Sequence, residues 1–233
     1  MFPPERIVCL TEETVETLYL LGEEERIVGV SGYAVRPARV RREKPRVSAF
    51  ISADIEKIVA LEPDLVLTFS DLQADIAATL IRRNVAVHAF NQRDVAGILA
   101  MIRTLGALVS TSPRADALAA GLEQRLAKVR EETAQLPRRP RIYFEEWDDP
   151  MISGIRWVSE LIEIAGGEEV FWLVVREEIR AGESQCPRGF RSDSRCCRGM
   201  ASRDQVGADP PAWAGSADRR PRCARGHYRR MVR

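Results

Sequence analysis

The chain has 233 residues, 45% apolar and 30% charged, enough for one or two domains with a sizeable buried core. Its formal charge of +1 hides a split: residues 1–174 carry a net of −6 and residues 175–233 a net of +7. No segment holds the roughly 18 consecutive apolar residues that a membrane span requires, and Cys9 stands alone in the first 174 residues, which excludes a disulfide framework there.

Short apolar runs alternate with amphipathic stretches, the β-α-β rhythm of a parallel sheet covered by helices. Residues 7–10 read as a buried strand. Thr11 is placed to cap a helix whose first turn holds Glu12 and Glu13, where carboxylates complement the helix dipole. Val15, Leu18 and Leu21 keep helical spacing, and Gly22 ends the helix. Residues 27–30 form a second strand, followed by Ser31-Gly32-Tyr33. The segment 36–46 holds six basic residues in eleven and reads as a solvated loop rather than a grip for an anion. Ser52 is expected to cap a short helix carrying Ile55, Ile58 and Val59, and Glu62-Pro63-Asp64 turns into a strand at 65–69. Ser70 or Asp71 caps the next helix, with Leu72, Ile76 and Leu80 on one face. Residues 85–90 are a strand on which His88 is a structural side chain, and Val95, Ile98, Ile102 and Leu105 line another helix.

Ser112-Pro113 opens the longest helical stretch, with proline in the first turn and Leu118, Leu122, Leu126 and Val129 recurring on one face. At about 1.5 Å per residue it spans roughly 35 Å, which suits a bridge between two lobes. A fresh α/β unit follows: a strand at 141–147, a turn at Asp148-Asp149-Pro150, a short strand near Ile152, then a helix with Val158, Leu161, Ile162 and Ala165, closed by Gly166-Gly167. Residues 181–233 contain no Leu, no Ile and two Val, too little aliphatic area to offset the entropy of ordering, so a disordered tail is expected.

Three stretches together resemble the periplasmic substrate-binding proteins of ABC importers that take cobalamin, haem or ferric siderophores. The first is Pro4-Glu5-Arg6-Ile7-Val8-Cys9-Leu10 with Leu20-Leu21-Gly22 and Ile27-Val28-Gly29-Val30. The second runs from Ile55-Glu56-Lys57-Ile58-Val59-Ala60-Leu61 through Glu62-Pro63-Asp64-Leu65-Val66-Leu67. The third is Ser153-Gly154-Ile155-Arg156-Trp157 with Ala165-Gly166-Gly167. The resemblance covers residues 4–172. It implies an α/β fold of two Rossmann-like lobes joined by one long helix: a first lobe at 1–111, the helix at 112–137, an incomplete second lobe at 138–175 and an aberrant tail at 176–233. It also implies no catalysis, no resident cofactor, delivery of the ligand to a permease and its ATPase, and work in the periplasm. No export signal is visible at the start, which would leave the chain in the cytoplasm.

Open parallel sheets place ligands at the carboxyl ends of their strands. Those ends give Thr11, Glu12, Ser31, Tyr33, Ser70 and Asp71 in the first lobe. In the second they give Glu145, Glu146 and Trp147, with Arg156 and Trp157 nearby. Aromatics with a polar tip suit a flat macrocycle. Adjacent strand residues point to opposite faces, so Glu145 and Glu146 do not form an acid–base pair.

Two other classes compete. A nitrogenase-like reductase needs cluster-ligating cysteines within the lobes, where only Cys9 is available. An Arg-tailed nucleic-acid binder would use the basic tail. The tail's Cys186, Cys196, Cys197, Cys223 and His227 fit no standard zinc spacing. A frameshift accounts for the tail better. Codons permitted by Cys186 to Met200, read one base later, repeat the helix, Pro-Asp and strand logic of residues 55–67. With half of the cleft missing, weak or absent ligand binding is expected.

Overall fold

Alternation along the first strand gives the sheet two buried faces. In β1 (Ile7–Cys9), Ile7 and Cys9 enter one apolar cluster, while Val8 and the following Leu10 enter another. The computed structural model describes residues 3–148 and 151–170. The expected break near residue 175 and the tail reading fall outside the described residues.

Four more strands, β2 (Ile27–Ser31), β3 (Arg46–Ser48), β4 (Leu65–Phe69) and β5 (Val87–Phe90), join β1 in a parallel sheet of order β3-β2-β1-β4-β5. The connecting helices are α1 (Glu12–Leu20), α2 (Val40–Glu43), α3 (Ile55–Ala60), α4 (Ala74–Arg82) and α5 (Val95–Leu108). Val15 and Leu18 of α1, Val40 of α2 and Leu105 of α5 pack on the Ile7/Cys9 face. Ile58 of α3 and Leu80 of α4 pack on the Val8/Leu10 face. Each such side chain stabilises by about 1.5–3 kcal/mol when fully buried. Gly29 is required in β2, because a Cβ there would lie 2.9 Å from Leu61 Cδ1 and 3.2 Å from Val47 Cγ1.

The long helix α6 (Ser112–Ala134) has 23 residues and packs closely on α5, where Gly106 faces Ala115. Arg114 ties its start to the end of α1, donating to the Leu21 carbonyl and pairing with Glu23 at 2.6 Å. Beyond it come β6 (Arg141–Ile142), β7 (Trp147–Asp148), β8 (Met151–Ile152), α7 (Arg156–Ile164) and β9 (Glu168–Glu169). β6 pairs with β9 in parallel, and β7 with β8 antiparallel. Gly166, at φ +80°, ends α7 in the left-handed conformation that glycine adopts without a Cβ clash. Thr133 Oγ1 donates to the Ile164 carbonyl at 2.9 Å, fastening the end of α6 to α7.

Five local expectations are corrected. Thr11 is the N-cap of α1 by position, but its hydroxyl bonds Thr14 Oγ1 at 3.0 Å and makes no capping bond to the backbone. The cap of α3 is Asp54, whose Oδ1 accepts from Lys57 N at 3.0 Å; the Ser52 carbonyl instead accepts from Ala49 N and closes the preceding loop. Leu72 is 53% exposed, because Ser70 opens a 3₁₀ turn at Asp71–Gln73 that takes Leu72 off the helical period of α4. The expected strand at 141–147 is two short strands joined by coil, since the β6 ladder to β9 is two residues long; Glu145 and Glu146 lie in that coil, where strand alternation does not apply. The basic segment 36–46 contains α2 and the start of β3, and Arg39 lies over the Tyr19 ring and pairs with Glu24 at 2.8 Å.

Candidate functional site

Because every strand of the large sheet is parallel, the loops following all five open on one edge. β1 delivers Thr11, Glu12 and Glu13; β2 delivers Ser31, Gly32 and Tyr33; β3 delivers Ala49 and Phe50; β4 delivers Ser70 and Asp71; β5 delivers Asn91, Gln92 and Arg93. The chain switches sides of the sheet between β1 and β4, the position at which open α/β sheets leave a crevice.

Gln73, 1% exposed, knits this crevice together. Its Nε2 donates to the Leu10 carbonyl at 3.2 Å and to the Phe50 carbonyl at 2.8 Å, and its Oε1 accepts from Phe69 N at 3.0 Å. Three loops are thus held by one side chain. The β2 and β3 loops meet where Gly32 N donates to the Ser48 carbonyl at 2.7 Å; a Cβ on Gly32 would crowd that oxygen at 3.1 Å. Both strands therefore end in a serine, a small residue and an aromatic ring: Tyr33 is 44% exposed and Phe50 42%. Ile51 and Leu72 extend this exposed apolar surface.

The polar groups of the edge are mostly spoken for. Glu13 accepts from Gln92 Nε2 at 2.9 Å, bridging the β1 and β5 loops, and partial burial raises its carboxyl above the ordinary value against the opposing hydrogen bonds. Gln92 Oε1 is shielded from solvent and has no hydrogen-bond partner among the described residues. Arg93 pairs with Asp71 at 3.6 Å and lies over the Phe69 ring at 5.8 Å. Ser70, at φ +50°, accepts a hydrogen bond from Leu72 N at its Oγ, 3.2 Å away.

Among the residues predicted from sequence, Thr11, Glu12, Tyr33, Ser70 and Asp71 share this edge. Thr11 and Ser70 are buried and internally bonded, so they shape the loops, whereas Tyr33 and Asp71 are presented to solvent. Arg156 and Trp157 come to the same end of the sheet. The Trp157 N–H donates to the Arg93 carbonyl at 3.1 Å, and Arg156 pairs with Asp94 at 3.8 Å and Glu160 at 2.9 Å. Glu145 is exposed and accepts from the Tyr143 hydroxyl at 2.7 Å. The side chain of Trp147 lies outside those described.

Phe50, Glu13, Gln73 and Gln92 were missed by the sequence reading. The signal for Phe50 was present, since Val47-Ser48-Ala49-Phe50 repeats the pattern of Val30-Ser31-Gly32-Tyr33. A separate trough of 860 Å³ lies between α5, α6 and α7, lined by Leu99, Leu126, Arg130, Leu136 and Glu163 among others. Among the described residues no group of three or more His, Cys, Asp or Glu is placed to hold a metal ion, and no helix is long and apolar enough to cross a membrane.

The cobalamin-binding protein of Halobacterium salinarum is 26% identical over 170 residues, which are 72% of this chain and 46% of that protein. The vitamin B12-binding protein of Vibrio cholerae is 26% identical over 174 residues, 73% of this chain and 62% of that protein. The chain thus spans about half to three-fifths of the length of these relatives. Among solved structures, the periplasmic vitamin B12 binding protein of Vibrio cholerae superposes with a TM-score of 0.62 at 23% identity, covering 78% of this chain and 80% of that one. A periplasmic heme-binding protein from a Roseiflexus species gives a TM-score of 0.65 at 22% identity, covering 79% and 70%. These likenesses give the fold: an α/β architecture of the two-lobed type. The family model for periplasmic binding proteins matches residues 7–172, and the chain belongs to that family.

Proposed function

We propose that this chain captures a flat metal chelate, a cobalamin-like corrinoid or a related ferric complex, and presents it to the permease and ATPase of an ABC importer in the periplasm. In this reading residues 1–111 are the first lobe, 112–137 the bridging helix and 138–175 the start of the second lobe. Tyr33 and Phe50 offer ring area to the ligand face, with Glu12, Asp71, Arg156 and Trp157 around it and Thr11 and Ser70 shaping the loops. Glu145 and Trp147 approach from the second lobe. The role is binding without chemistry. Cys9, buried at the centre of the sheet, is no cluster ligand.

The observation that carries this reading is the pair of exposed rings, Tyr33 and Phe50, that follow the adjacent strands β2 and β3, whose loops are joined by the bond from Gly32 N to the Ser48 carbonyl. Calorimetric titration of the full chain with cyanocobalamin, hemin and ferrichrome tests it. Weak but saturable binding of at least one is expected, as an incomplete second lobe implies, and Tyr33→Ala or Phe50→Ala weakens it further by about tenfold. No saturable binding of any of the three up to millimolar concentration overturns it.

A further inference from the structure

The charges of the carboxyl edge are unevenly committed. Among the described residues, cations on or near the edge face carboxylates: Arg36 is 3.6 Å from Glu16, Arg93 is 3.6 Å from Asp71, and Arg156 is 2.9 Å from Glu160. Glu12 and Glu13, by contrast, have no ion pair among the described residues. Among the described residues the edge therefore offers carboxylate acceptors, while Arg36, Arg93 and Arg156 are each paired.

Glu13 is also held at a cost. Gln92 places its Nε2 on the Glu13 carboxylate at 2.9 Å while leaving its own Oε1 buried without a partner. Buried polar groups are almost always satisfied, and exceptions gather where function overrides local stability. The bond also crosses between the β1 and β5 loops, so it fixes Glu13 relative to both sides of the crevice. Partial burial raises the carboxyl from its ordinary value, which shows that the site already disfavours negative charge.

We propose that Glu13, positioned by Gln92, sets the ligand chemistry of this edge: it accepts a hydrogen bond from a neutral donor such as a primary amide or hydroxyl, and it rejects chelates that present carboxylates. The inference rests on the proposed capture of a flat chelate and goes further, because it selects among chelates by their peripheral groups. An incoming carboxylate would meet Glu13 with Glu12 adjacent, where Arg36, Arg93 and Arg156 are already paired. A primary amide would meet an acceptor held in place.

The test is an NMR titration of the full chain, labelled with nitrogen-15, against dicyanocobinamide and dicyanocobyrinic acid. The two share one macrocycle; the first carries neutral amides and the second carboxylates. We expect the amide form to bind at least about tenfold more tightly, as like-charge repulsion at a partly desolvated site requires. Glu13→Gln narrows that preference to within about threefold, chiefly by admitting the carboxylate form. Gln92→Leu weakens the preference without reversing it, and lowers its low-salt enhancement in the same proportion because Glu13 keeps its charge but loses its fixed place; a merely structural loop contact would lower both affinities equally and leave the preference and its salt dependence unchanged. Equal binding of the two corrins by the wild-type chain overturns the inference while leaving chelate capture intact. So does an unchanged preference in Glu13→Gln. If neither corrin nor hemin shifts any resonance, chelate capture itself fails, and this inference with it.

Discussion

Replacing Gln73 by leucine removes the one side chain that joins three loops of the edge. Three bonds are lost: the donations to the Leu10 and Phe50 carbonyls at 3.2 and 2.8 Å, and the acceptance from Phe69 N at 3.0 Å. A buried polar group left unpaired costs about 1–3 kcal/mol, and a partly buried one that regains water costs at the lower end. The Leu10 bond is buried and the other two are partly buried, so the sum is about 3 kcal/mol. That is a large share of the roughly 5–15 kcal/mol typical of a folded domain. With a urea m-value of about 2 kcal/mol per molar, the midpoint of unfolding falls by about 1.5 M, read by circular dichroism at fixed protein concentration. Gln73→Glu sharpens the test. It keeps an acceptor for Phe69 N but turns a carboxylate oxygen toward two carbonyls, which raises the folded-state pKa of the new group above its unfolded value near 4.3. Its deficit is full at pH 7 and shrinks as pH falls through that raised pKa, because protonation restores one donor. If both variants unfold within about 0.5 kcal/mol of the wild type, Gln73 is not the tie described.

Gly106→Val drives a branched side chain into Ala115, whose Cβ already lies inside van der Waals range of any Cβ built at 106, and is expected to cost about 2–3 kcal/mol in urea unfolding. Gly106→Ala costs less and is rescued by Ala115→Gly, giving a coupling energy above about 0.5 kcal/mol in a double-mutant cycle. Glu160 Oε2 accepts from Val95 N at 2.8 Å and caps α5 from another helix; Glu160→Ala is expected to cost about 1 kcal/mol and to speed amide exchange in the first turn of α5. The Asp64 carboxyl accepts from Glu5 N and Arg6 N at 2.8 and 2.9 Å, and those backbone bonds hold its pKa below the ordinary value. Wild type is therefore expected to be more stable than Asp64→Asn above the ordinary carboxylate range, with the gap closing as pH falls through Asp64's lowered pKa.

The strands that carry apolar residues on both faces were legible at once, because residues 7–10 and 65–69 have no other way to satisfy their composition than the centre of a covered sheet. The long helix was equally plain from its leucine period. What escaped was whatever depended on a partner distant in sequence. β3 has three residues and one buried position, Val47, so only its neighbour β2 defines it as a strand. Gln73 reads as an ordinary helix-surface residue until the 3₁₀ turn before α4 rotates it inward. Glu13 looked like a dipole-compensating first-turn acid, and only the β5 loop, 79 residues away, gives it Gln92. The edge itself follows from sheet topology, which the alternation of strands and helices already implies, but which side chains face outward there is settled by loop contacts that leave no periodic trace.

Cys9 is the last residue of the central strand, 0% exposed, with burial pushing its thiol pKa up to about 12. At pH 8 the native protein holds almost no thiolate there, and no reagent reaches the sulfur while β2 and β4 flank it. Its modification by iodoacetamide, followed by mass on the peptide containing Cys9, therefore works as a built-in stopwatch for the sheet coming apart. Loosening confined to the edge loops leaves that peptide unlabelled, while separation of the central strands marks it.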